Sequence, residues 1–248
     1  MLKQMNAQYI VSFEPQGAIK DKQQLIQEML SSYFPPASYS VIGLPVNATV
    51  PPEIPRMLAV SPFGHSTLQI SESELRMQTN FDAQFNEDHV KCWEYFKERV
   101  DQLNEIARQI SDNRLLFAGI VAQFFDEDVE NPSAFVRDKY FTNALEPDVF
   151  DIAARVTYVR EERYYLNLII DNLRDDEDPN KEALGVKVDI NSRYVVKPRT
   201  LRYMDDELLA GVQTLYMNFV KKELTKVIEK RWFPGWRRPL RRRVRRGA

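Results

Sequence analysis

Cysteine is nearly absent. The single Cys92 of this 248-residue chain excludes an internal disulfide and any cysteine-cluster zinc or iron–sulfur site. Histidine is as scarce: His65 and His89 are the only two, too few to build a histidine metal centre. Eight glycines and 14 prolines exclude collagen-like and low-complexity classes. No apolar run approaches the roughly 20 residues that span a bilayer. The opening MLKQMNAQYIVSFEPQ lacks the apolar stretch of a secretory signal, so a cytoplasmic location is expected. A P-loop, G-x-G-x-x-G and G-x-S-x-G are missing, which leaves P-loop phosphate sites, dinucleotide sites and elbow hydrolases without support. What is present, 44% hydrophobic and 28% charged residues, describes a chain that buries a core without staples.

The net charge of −2 hides two opposed parts. Residues 230–248 hold nine basic residues and no acid, which leaves 25 basic against 36 acidic residues in 1–229, a net of −11. An acidic body repels phosphate at long range, and a cationic tail attracts it. The tail is therefore the candidate site for an anionic partner, through Arg231, Trp232, Trp236, Arg237, Arg238, Arg241, Arg242, Arg243, Arg245 and Arg246. Guanidinium forks bind phosphate in bidentate fashion, and indoles stack on bases or settle among lipid headgroups. Nucleic acid or an anionic membrane is the candidate partner there. Five phosphate contacts on a single strand would give a log–log salt slope of about −3.5. The bland alternative is a disordered tail, or one that folds back on the acidic body.

Hydrophobic spacing predicts a strand at Gln8–Phe13, a helix from Asp21 to Tyr33 stopped by Pro35-Pro36, and a strand at Tyr39–Leu44. Strands follow at Met57–Ser61, Thr67–Ser71 and Leu75–Asn80, with Pro62-Phe63-Gly64-His65 turning between the first two. Asn86 is the expected cap of a long helix that carries Val90, Trp93, Phe96, Val100, Leu103, Ile106 and Ile110 on one stripe. Leu115–Phe125 reads as a long strand, and Asn131-Pro132 opens a short helix. Three strands follow at Val149–Val159, Tyr164–Leu173 and Gly185–Val195, then a second long helix from Asp205 to about Trp232.

Each half thus runs strand, helix, several strands, long helix. The fold class is α+β: a curved antiparallel sheet covered by two long helices, built from a duplicated unit. The expected divisions are 1–112, 113–233 and the basic tail 234–248, with the halves splitting near 111–114. The order is similar to the saddle of the TATA-binding protein or to two partial helix-grip folds.

The stretch Pro52-Glu53-Ile54-Pro55-Arg56, followed by Ser61, Gly64, Leu68-Gln69 and Asn80, resembles the P-x-x-P-R and L-Q pattern of a sporadically distributed family of bacterial proteins of similar length. The resemblance extends over most of residues 8–230 and implies the same element order. The family's usual Asp-Gly turn is Phe63-Gly64 here. No catalytic residue comes with the resemblance, and the basic C-terminus is not part of it.

Candidate chemistry elsewhere is sparse. His89 and Cys92 share a helix face but find no third ligand at helical spacing. Ser66 follows His65 on a strand, where neighbours point to opposite faces. Asp148, Glu161 and Glu162 have the rough spacing of the acid pair in metal-dependent nucleases or phosphodiesterases, but Arg163 stands where such sites place a lysine. The acidic run Asp175–Asp178 lacks the glycine and closing glutamate of a calcium loop. The preferred reading is a non-enzymatic interaction or scaffold protein that needs no cofactor. It expects a protein partner, a second copy of the chain among the candidates.

Overall fold

The computed structural model describes residues 1–17, 19–43, 49–141, 145, 149–174, 178, 181–192 and 203–229. Nine strands form one sheet: β1 (Lys3–Phe13), β2 (Tyr39–Val41), β3 (Met57–Val60), β4 (Ser66–Ile70), β5 (Glu74–Asn80), β6 (Leu115–Asp126), β7 (Ala153–Arg160), β8 (Tyr164–Arg174) and β9 (Glu182–Ser192). Their order is β2-β3-β4-β5-β1-β6-β9-β8-β7, and each neighbouring pair is antiparallel. The helices are α1 (Gln23–Leu30), α2 (His89–Ser111), α3 (Pro132–Val136), α4 (Asp206–Lys222) and α5 (Leu224–Ile228). The α+β expectation holds. The halves meet at the β1–β6 pair, where Tyr9 faces Ile120, and the strand order runs outward alike on both sides, with the second half one strand shorter.

Alternation decides which side of the sheet is inside. Along β1, Ala7, Tyr9, Val11 and Phe13 are buried, and the residues between them are half-buried. The same side carries Leu75 and Met77 of β5, Ile120 and Phe124 of β6, Val188 and Ile190 of β9, and Leu166 and Leu168 of β8, all in one core. Helices α2 and α4 lie over it. Tyr9 donates to Asn104 of α2, and Gln4 Nε2 donates to Tyr216 of α4 at 3.0 Å. Helix α3 abuts β8 and β9, and α1 abuts α2. Each large aliphatic or aromatic side chain buried there contributes roughly 1.5–3 kcal/mol.

Several element ends differ from expectation. Asp88, not Asn86, caps α2: its carboxylate accepts from Val90 N and Lys91 N, both at 3.0 Å. Asn86 sits in the preceding turn and gives its carbonyl to Gln4 N at 2.7 Å. Val90, placed on the apolar stripe from its spacing, is exposed. Strand β7 starts at Ala153 rather than Val149, because Asn172 ties the incoming chain down: its Oδ1 accepts from Ile152 N at 2.9 Å and its Nδ2 donates to Phe150 O at 3.1 Å. The last long helix breaks at Glu223 into α4 and α5 and ends at Ile228, where Glu229 turns extended, short of the expected Trp232. The first helix stops at Leu30, with Tyr33 N and Phe34 N both bonded to the Leu30 carbonyl. The Asp112–Asn113 turn between α2 and β6 has both residues at positive φ. Among the described residues, no helix is long and apolar enough to cross a membrane.

Candidate interaction surface

The second face of the sheet carries side chains that no described helix covers. Register aligns them in rows across the strands. One row runs Leu58, Gln69, Arg76, Ile10, Gly119, Asn191, Tyr165, Val159. The next runs Val60, Thr67, Gln78, Gln8, Val121, Asp189, Asn167, Thr157. Apart from the buried Gly119 and Asn167, these residues are half-buried or exposed.

Neighbouring strands tie the polar members together. Thr157 Oγ1 donates to Asn167 Oδ1 at 2.7 Å, and Asn167 Nδ2 donates to Asp189 at 3.0 Å. Asn191 Nδ2 donates to the other oxygen of that carboxylate at 2.8 Å. Across the central pair, Asn6 donates to Gln123 at 2.7 Å. Arg76 pairs with Glu74 at 2.9 Å. On β8, burial, then the neighbouring Asp151, raises the carboxyl pKa of Asp171 above its usual value. The face therefore mixes apolar and bonded polar groups with both charge signs interspersed. That composition is typical of a non-obligate protein interface, and nothing in it concentrates the cation that phosphate requires.

The sequence-derived candidates fall elsewhere. Arg231, Trp232, Trp236, Arg237, Arg238, Arg241, Arg242, Arg243, Arg245 and Arg246 all lie outside the described residues, as do Asp148 and the acidic run 175–177. Glu161 and Glu162 are exposed at the β7–β8 turn, both with positive φ. Among the described residues, no group of histidine, cysteine, aspartate or glutamate could hold a metal ion. His89 donates Nε2–H to the Leu2 carbonyl at 3.0 Å and packs edge-on against Phe124. Cys92 is buried, with its thiol donating to Phe85 O at 3.2 Å. Burial pushes that thiol's pKa up to about 12. Ser66 is buried and bonded to Thr79 at 2.8 Å.

The open face had a signal in the sequence. Asn6, Gln8 and Ser12, then Gln78 and Asn80, then Lys187, Asp189 and Asn191, each alternate with core residues. Such alternation marks a sheet wetted on one side. No family model matches the chain, and no curated protein matches it.

Proposed function

We propose that the chain is an interaction protein whose open sheet face receives a separate, non-obligate protein partner, with its basic tail engaging an anionic partner. The carrying observation is the one-sided architecture: all the described helices serve one core, and the opposite rows are mixed in polarity and charge. Nine strands spaced about 4.8 Å apart give a face about 38 Å across, and such a face can exceed the roughly 800 Å² per partner of a standard interface. A partner offering amide and hydroxyl groups and little net charge fits these rows. Obligate dimer faces are more apolar, which favours a separate protein over a second copy.

The tail enters through its charge contrast with the body. We also infer an internal duplication, supported by the matching strand order on either side of β1–β6. Membership of the sporadic bacterial family is supported by the P-x-x-P-R stretch and its element order, and a cytoplasmic location by the lone cysteine, which calls for no oxidising compartment.

A photo-crosslinking residue at position 8, in the cells from which the chain comes, tests the face. The reading expects a protein adduct from position 8 and none from position 98 on the helix side. An adduct of twice the chain's mass, or none at position 8, would contradict it. Deleting residues 237–248 tests the tail. Loss of co-purifying ultraviolet absorbance marks nucleic acid, and loss of flotation with anionic liposomes marks membrane. No change in either contradicts the tail's role.

A further inference from the structure

On the helix side of the first half, a cavity of about 550 Å³ opens between the end of α1, the β3–β4 turn, the β5–α2 loop and α2. Its walls include Tyr33, Phe63, His65, Phe85, Tyr95 and Arg99. Arg99 is only 8% exposed. Its guanidinium carbon lies 3.5 Å from the centre of the Tyr95 ring and 4.7 Å from that of Tyr33. Two aromatic rings thus lie within cation–π reach of the guanidinium.

Nη1 donates to the Tyr95 carbonyl at 2.6 Å. Nε is buried without a partner, and among the described residues no carboxylate pairs with Arg99. Asp82, at the same cavity, approaches His65 instead, at 3.9 Å. A buried cation normally has a counter-ion. Among the described residues none is supplied here, which leaves a guanidinium with an unpaired N–H at the cavity wall to attract an oxyanion.

The aromatic walls specify the rest of the ligand. Phe85 and Tyr95 meet at 5.6 Å between ring centres, and His65 lies 5.9 Å from Phe85. Phe63 stands at the rim 95% exposed, with φ at 66°. That is an unfavourable backbone for a bulky residue, and such strain is often kept where a side chain serves a site. We propose that this cavity binds a small aromatic molecule bearing an oxyanion, with the carboxylate or phosphate on Arg99 and the ring among Phe63, Phe85 and Tyr95. The site is separate from the open sheet face and stands or falls independently of it.

Calorimetric titration of the full chain with benzoate, adenosine 5′-monophosphate and acetate tests the assignment. Benzoate or the nucleotide should bind at one saturable site at least tenfold more tightly than acetate, and the better of the two identifies carboxylate or phosphate as the anion. Arg99→Met keeps the buried volume and should weaken binding at least tenfold. Should that variant fail to fold, Phe63→Ser, at an exposed position, carries the test with an expected two- to tenfold loss. Binding to the basic tail would survive both substitutions. Unchanged affinity in the variants, acetate as tight as the aromatic probes, or no saturable binding by either aromatic probe would overturn the proposal.

Discussion

Replacing Arg56 with alanine removes the residue that organises the proline-rich loop. Its side chain is 2% exposed. Nε donates to Glu72 at 3.1 Å, Nη1 to Ile54 O at 2.7 Å, and Nη2 to Val50 O and Pro51 O at 3.4 and 3.3 Å. Prolines carry no N–H and so cannot complete a ladder here, and one guanidinium collects the loop carbonyls of Val50, Pro51 and Ile54 instead. The P-x-x-P-R stretch is thus a folding device. Urea denaturation should show Arg56→Ala destabilised by about 3 kcal/mol, and Arg56→Lys only partly restored, because one ammonium cannot reach the same set. An Arg56→Lys variant as stable as the wild-type chain would contradict this.

His89 gives a pH dependence at the same scale. Burial holds its pKa below the usual 6.5, against the opposing pull of Leu2 O and Asp88. As pH falls, the unfolded chain binds the proton first. His89's contribution is therefore complete above the unfolded pKa and is lost as pH drops towards its folded value. The denaturation midpoint should fall between pH 7.5 and 5.5, less steeply in His89→Gln, which keeps a donor but does not titrate. Equal slopes in the two proteins would exclude His89 as the cause.

Among the elements, the β7–β8 hairpin was legible in sequence but its turn chemistry was not. Glu161 and Glu162 adopt φ of 52° and 56°, the left-handed pair that Asn-Gly adopts without strain. Exchanging them for Asn-Gly should stabilise the chain by about 1 kcal/mol, read as a raised melting temperature; a lowered one would mean that the glutamates make contacts worth more than the strain. Helix α4 illustrates the reverse. Gly211 lowers helix propensity by about 1 kcal/mol relative to alanine, yet a Cβ there would collide with the Tyr164 hydroxyl. Gly211→Ala should therefore destabilise by about 1–3 kcal/mol despite the propensity gain, and a stabilised variant would contradict the contact. Periodicity places α4 on the core but cannot reveal which strand residue rises beneath it. The cap of α2 was missed for a similar reason: Asn86 and Asp88 are both good caps, and the choice depends on the long-range bond from Gln4 to the Asn86 carbonyl. At the far end, Lys139 donates to the carbonyls of Val227, Ile228 and Glu229, closing α5 where the basic segment begins.

For the whole molecule, the order of strands and helices was legible because alternation and helical stripes encode which side is wet. The meeting of β1 with β6 is a long-range event, and only the likeness of the halves hinted at it. The Arg99 cavity was not legible: three loops distant in sequence build it, and Arg99 passes in sequence for one more charged helix residue. Charge was legible at once, because nine basic residues in the last nineteen need no fold to be seen.

One face of the sheet stays open to solvent while the other holds the core. Maleimide labelling of Val121→Cys, at the centre of the open rows, measures this directly against the native thiol. With Cys92 buried and held protonated, position 121 should react at least about 100-fold faster in the folded chain. Protection of position 121 to the level of Cys92, in a variant that remains folded, would mean that the face is covered, and the account would fail.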